Sequence, residues 1–220
     1  MSETLLQLGP PPRVPPQLPA EDRARLERQA RLLAWGGNAW HLIEFGVAIA
    51  AGLAAGSVAL IGFGADSLIE GLAGFVIVWL FTGGRGSSEQ AERRAQQLIA
   101  VSYFILVAYI GVAAGRDLVT SNEPAVSWVG IALAAFTAVT MPLLAMVKRR
   151  VGNKLNSSAT VSEAQQNQIC AYLSIALLAG LLANALVGWW WADPAAALVI
   201  GAVALREGVD SWRGDLCDCC

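Results

Sequence analysis

Apolar residues along most of this chain neither alternate nor recur once per helical turn; they run together. Residues 42–81 are almost continuously apolar. As one helix they would be about 60 Å long, twice the roughly 30 Å of a bilayer's hydrocarbon core. The run must double back, and the small residues Ala54, Ala55, Gly56 and Ser57 mark its middle. Further apolar runs at 98–114, 126–147, 169–187 and 194–205 bring the reading to six helices. The last is short for a crossing, with Trp189, Trp190 and Trp191 supplying its interfacial end. Asp193 followed by Pro194 is a helix-start signal, an N-cap with proline in the first turn.

The polar stretches frame these runs. Six of the nine prolines lie between Pro10 and Pro19, so the start of the chain reads as an extended, polyproline-like leader. It lacks the basic start and apolar core of a secretory signal. Residues 21–33 then alternate arginines with Leu and Ala, a short helix running into the bilayer surface. The expected organisation is a disordered leader and amphipathic cytoplasmic segment at 1–33, a six-helix transmembrane domain at 34–210, and a Cys-rich cytoplasmic tail at 211–220.

Composition narrows the class. With 55% hydrophobic residues, 15% charged residues and a mean hydropathy of +0.52, the chain is far from a soluble globule, which carries about 25% charge. So apolar a sequence cannot stay solvated as a disordered chain. A net charge of −2 offers no basic field for nucleic acid. The fold expected is an all-α polytopic membrane protein.

Basic residues set its orientation. With the N-terminus inside, fourteen of the fifteen Lys and Arg residues fall on cytoplasmic segments and only Arg116 falls outside. Both termini are then cytoplasmic, and the expected location is the cell (inner) membrane of a bacterium. Cys217, Cys219 and Cys220 crowd the end of the chain, where no staple to a core is possible, so a reducing compartment suits them. With Asp215 and Asp218 they form either a metal-collecting tail or an idle one.

Three acids stand inside the apolar runs: Glu44, Asp66 and Glu70. A carboxylate at the bilayer centre costs about 2.5–3.5 kcal/mol on insertion scales and marks function by default. Asp66 and Glu70 are four residues apart and share one helix face. In a hairpin turning near residues 55 and 56, positions whose numbers sum to about 111 lie at equal depth. Glu44 is then level with Asp66, and His41, the only histidine, is level with Glu70. Glu163, Gln166, Cys170 and Ser174 form a second stripe at helical spacing in the fifth span. Carboxylate, thiolate and imidazole together suit a borderline-soft ion such as Zn²⁺ or its mimic Cd²⁺, whereas Mg²⁺ and Ca²⁺ prefer oxygen alone. Simpler readings stay open for single residues: a packing histidine, and a cysteine acting as a small hydrophobe.

The segments "GSVALIGFGADSLIEG", "SEAQQNQICAYLS" and "GWWWADPAAALVI" resemble the cation diffusion facilitator family of divalent-metal transporters, over residues 34–210. In that family the second and fifth helices each give two ligands, commonly Asp-x-x-x-Asp facing His-x-x-x-Asp. By position, the resemblance implies a metal site of Asp66, Glu70, Gln166 and Cys170. The chain departs from the pattern where Gln166 replaces the histidine and Cys170 the aspartate. Glu44, at the depth of Asp66, is the candidate replacement donor. Members usually carry a cytoplasmic domain after the sixth helix, and the chain resembles a short branch without one.

The function implied is proton-coupled export of Zn²⁺, with Cd²⁺ or other divalent ions as further cargo, by alternating access. The implied partners are the metal, protons, the lipid bilayer and a second copy of the chain, with no cofactor. A passive metal channel or a membrane metal sensor would use the same ligands. An enzyme is not expected, because His41 has no Ser/His/Asp or paired-His arrangement around it. Gly111 and Gly115 form a small-xxx-small pair, suited to packing within the chain or to a dimer contact. Pro142 suits either a hinge or packing.

Overall fold

The computed structural model describes residues 19–82, 89–155 and 157–213. The proline-rich stretch before Pro19, Arg85 and the cysteine tail lie outside the described residues.

Six helices follow one another: α1 (Ala20–Ala55), α2 (Val58–Thr82), α3 (Glu89–Thr120), α4 (Trp128–Leu155), α5 (Ser158–Val187) and α6 (Ala192–Arg213). The described residues contain no strand. α1, α3, α4 and α5 hold stretches long and apolar enough to cross a membrane. The amphipathic residues 21–33 are not a separate helix; they continue into α1 without a break.

Each turn has a local cause. α1 stops because Gly56 adopts φ 68°, a left-handed conformation that glycine takes without a Cβ clash, and the Gly56 amide bonds back to the Gly52 carbonyl. Gly188 closes α5 in the same way at φ 70°. Ser157 caps α5, its side chain accepting from the Thr160 amide.

The helices pair antiparallel as α1 with α2, α3 with α6 and α4 with α5, and α2 also packs on α3, α5 and α6. Glycines bring the α1–α2 pair close: a Cβ on Gly64 would lie 3.0 Å from the Ala48 Cβ, and one on Gly52 would lie 2.9 Å from the Ile61 amide. The apolar centre is built around Leu60, Phe63, Tyr103, Ile110, Leu177 and Ile200. Leu53, Ile105, Val112 and Leu186 point outward at 67–75% exposure, an apolar exterior that suits lipid. Gly111 and Gly115 belong to this exterior, with nothing within 4 Å of where a Cβ would be. Among the described residues nothing packs against these two positions.

α6 begins at Ala192, so Asp193 lies inside its first turn and is not its N-cap. Its carboxylate accepts from the Ser57 hydroxyl and from the Val58 and Ala59 amides, the latter two at 3.0 and 3.3 Å. Asp193 thus caps the N-terminus of α2 from the neighbouring helix. Those amides are the unpaired donors at the positive end of a helix dipole, so a buried carboxylate is stable there. Its burial is almost complete, at 1% exposure.

Candidate metal centre

The close α1–α2 hairpin brings its polar residues face to face. His41 on α1 meets Glu70 on α2, with Nδ1 and Oε2 3.5 Å apart. Ser67 Oγ donates to Glu44 Oε2 at 3.0 Å. Both pairs obey the depth relation expected of a hairpin turning near residues 55 and 56, and the faces meet.

Glu44 is fully buried and is the hub of the cluster. Its Oε1 accepts from Thr137 of α4. Its Oε2 accepts from Ser67 of α2 and, at 3.9 Å, from the Cys170 thiol of α5. His41 Nδ1 lies 3.5 Å from the same oxygen. One carboxylate therefore touches α2, α4 and α5 from α1. Donor atoms of His41, Glu44 and Cys170 lie within 4.8 Å of one another, all buried.

Two polar atoms in this cluster lack a hydrogen-bond partner among the described residues: His41 Nδ1 and Glu70 Oε2. They face each other. A buried polar atom left unpaired costs about 1–3 kcal/mol, so native structures rarely keep one without a use for it. Two nitrogen or oxygen ligands about 2.0–2.1 Å from a tetrahedral ion lie roughly 3.3–3.4 Å apart, and a sulfur–oxygen pair about 3.6 Å. The separations of 3.5 Å for His41–Glu70 and His41–Glu44 match that geometry, and 3.9 Å for Cys170–Glu44 needs only a small contraction.

Asp66 is buried at 3% exposure, and its acidic neighbours include Glu70 on α2, Glu207 of α6 and Glu44 of α1. It lies beside the cluster; neither Asp66 nor Glu70 is one of the three residues whose donors converge, and Glu70 meets the cluster through His41. Gln166 is only half-buried. The buried polar residue at that level of α5 is Asn167, at 1% exposure, whose Nδ2 donates to Met141 Sδ at 3.2 Å. The buried polar stripe of α5 therefore runs through Asn167, Cys170 and Ser174. Ser174 donates back to the Cys170 carbonyl, a bond common to serine inside helices. Thr137, Ser67 and Asn167 are the polar residues that sequence reasoning missed. A hydroxyl or an amide in an apolar run carries no signal of its own.

Residues 39–214 match the cation efflux transmembrane domain, which takes in every residue of the cluster. An uncharacterized transporter of Synechocystis sp. is 25% identical over 198 residues, 86% of this chain and 63% of that protein's length.

Proposed function

The chain belongs to the cation efflux family, and from that premise we propose that it exports Zn²⁺ from the cytoplasm through a site of His41, Glu44, Glu70 and Cys170. The family consists of divalent-cation transporters, and the apolar exterior places the chain in a membrane. The observation that carries the choice of site is the facing pair of unpartnered atoms, His41 Nδ1 and Glu70 Oε2. One ion would satisfy both, with Glu44 and Cys170 completing a tetrahedron of nitrogen, two oxygens and sulfur. A soft sulfur and an imidazole favour Zn²⁺ and Cd²⁺ over Mg²⁺ and Ca²⁺. Asp66 stands beside this set as a further charge for the incoming ion.

Proton antiport follows from the ligand chemistry. Cys170 binds metal only as thiolate, so loading the site must release its proton. Emptying the site leaves buried carboxylates and a thiolate near one another, and taking up protons relieves that repulsion. Metal one way and protons the other is the exchange expected. Six crossings with both termini cytoplasmic, in the cell membrane of a bacterium, are consistent with the fourteen-to-one distribution of basic residues. The open Gly111–Gly115 face of α3 is where a second copy would pack closely enough to form a homodimer.

Reconstituted vesicles loaded at low pH test the activity. Zn²⁺ uptake that accelerates with an imposed proton gradient supports antiport. Zn²⁺ flux indifferent to the gradient would indicate a passive channel, and Zn²⁺ binding without flux a sensor. Cross-linking of Gly111→Cys in membranes, with the native cysteines replaced, tests the dimer contact.

A further inference from the structure

A second charged group lies away from the cluster, toward the end where α4 passes into α5. Lys148 Nζ and Glu163 Oε2 form an ion pair at 3.1 Å, with the lysine side chain only 4% exposed and the glutamate 13%. Burying an ammonium in an apolar bundle is costly unless it is paired, and even then an apolar residue of the same size often serves stability equally well. Stability alone is a weak reason for this pair.

Its position is specific. Glu163, Asn167 and Cys170 are spaced four and three apart on α5, so they share one face, with Glu163 about 10 Å from Cys170 along the axis. On α4, Lys148 and Met141 are seven apart and also share a face. α1 closes the third side: a Cβ on Gly37 would sit 3.0 Å from Lys148 Nζ and 3.7 Å from its Cε. Gly37 lies one helical turn before His41. The ion pair therefore sits between α1, α4 and α5 on the line that continues from the metal cluster toward the arginine-rich end. Between the two stands Asn167, whose Oδ1 is buried without a partner among the described residues.

We propose that Glu163, with Asn167 behind it, is a second divalent-cation position on the transport path, filled by the Lys148 ammonium in this conformation. The lysine is a tethered cation. While it holds Glu163, the path between α1, α4 and α5 is shut on that side. When it swings away, the Glu163 carboxylate is freed and, with the already unpartnered Asn167 Oδ1, can hold a metal ion bound toward the cluster. Gly37 leaves room for the ammonium, whose Nζ would lie 3.0 Å from a Cβ at that position. The inference rests on the cluster of His41, Glu44, Glu70 and Cys170 as the principal metal site.

The test is zinc stoichiometry by calorimetry on the purified full-length chain, with Cys217, Cys219 and Cys220 replaced by serine. The unaltered path should bind one Zn²⁺, and that ion should protect Cys170 from a maleimide. Lys148→Met should bind a second Zn²⁺, and adding Glu163→Gln to it should remove that second ion. Lys148→Gln removes the charge and keeps a polar side chain of similar reach, so it should also reveal the second site even if Lys148→Met fails to fold. If the stoichiometry stays at one in Lys148→Met, or in Lys148→Gln when Lys148→Met does not fold, the proposal is overturned. A second ion that survives Glu163→Gln overturns it too. Failure of Zn²⁺ to protect Cys170 in the unaltered path is a different result, and it removes the principal site instead.

Discussion

His41 Nδ1 and Glu70 Oε2 face each other 3.5 Å apart across the α1–α2 hairpin, both buried and neither hydrogen-bonded among the described residues. The pair can share a proton as an ion pair, and in the proposed site it would share a metal ion instead.

Glu70→Ala and His41→Ala should therefore both weaken Zn²⁺ binding, each by more than the roughly 10–100-fold that loss of an outer partner costs. Calorimetry on the purified variants checks this. His41→Ala with near-normal affinity would reduce the imidazole to a packing group and leave the site to the carboxylates and thiol.

Cys170 decides selectivity. Replacing it with aspartate exchanges a soft sulfur for a hard oxygen at the same depth of α5, so Cys170→Asp should weaken Cd²⁺ relative to Mn²⁺ by at least about tenfold. Competition between the two metals for transport in vesicles measures the ratio. An unchanged ranking would mean that the thiol binds no metal.

Asp193 should matter for stability and not for metal. It satisfies the Ser57 hydroxyl and two α2 amides from inside the protein. Asp193→Ala leaves those donors buried and unpaired, at a cost of about 1–3 kcal/mol for such a group. The variant should unfold at lower temperature in detergent while the folded fraction keeps its Zn²⁺ affinity.

The hairpin was legible because two features determine it: an apolar run too long for one crossing, and a stretch of small residues at its middle. Equal depth put His41 level with Glu70, and the packing of the hairpin brings the two faces together. The rotation of α5 was not legible in the same way. The sets 163, 166, 170, 174 and 163, 167, 170, 174 both step by three and four, so spacing cannot choose between Gln166 and Asn167. Packing of α5 against α4 chooses Asn167, which reaches Met141 Sδ. Asp193 shows a related limit. An Asp-Pro pair marks a helix start, but only the parallel packing of α6 on α2 sends the carboxylate to another helix. Thr137 carries no signal at all in an apolar run, yet it donates to the most buried acid of the cluster.

Glu44 has two possible duties, and they can be separated. As a hub it accepts from Thr137, Ser67 and Cys170 and so ties three helices to α1. As a ligand it gives charge and an oxygen to the ion. Thr137→Val and Ser67→Ala each remove one donor and leave the carboxylate, so each should cost about 1.5–3 kcal/mol in stability and change Zn²⁺ affinity little. Glu44→Gln keeps the size and one acceptor oxygen but removes the charge, so it should weaken Zn²⁺ by roughly 10–100-fold or more and change the pH dependence of transport. If Glu44→Gln lowers stability as Thr137→Val does and leaves affinity intact, Glu44 only holds helices together, and α1 contributes no charge to the site.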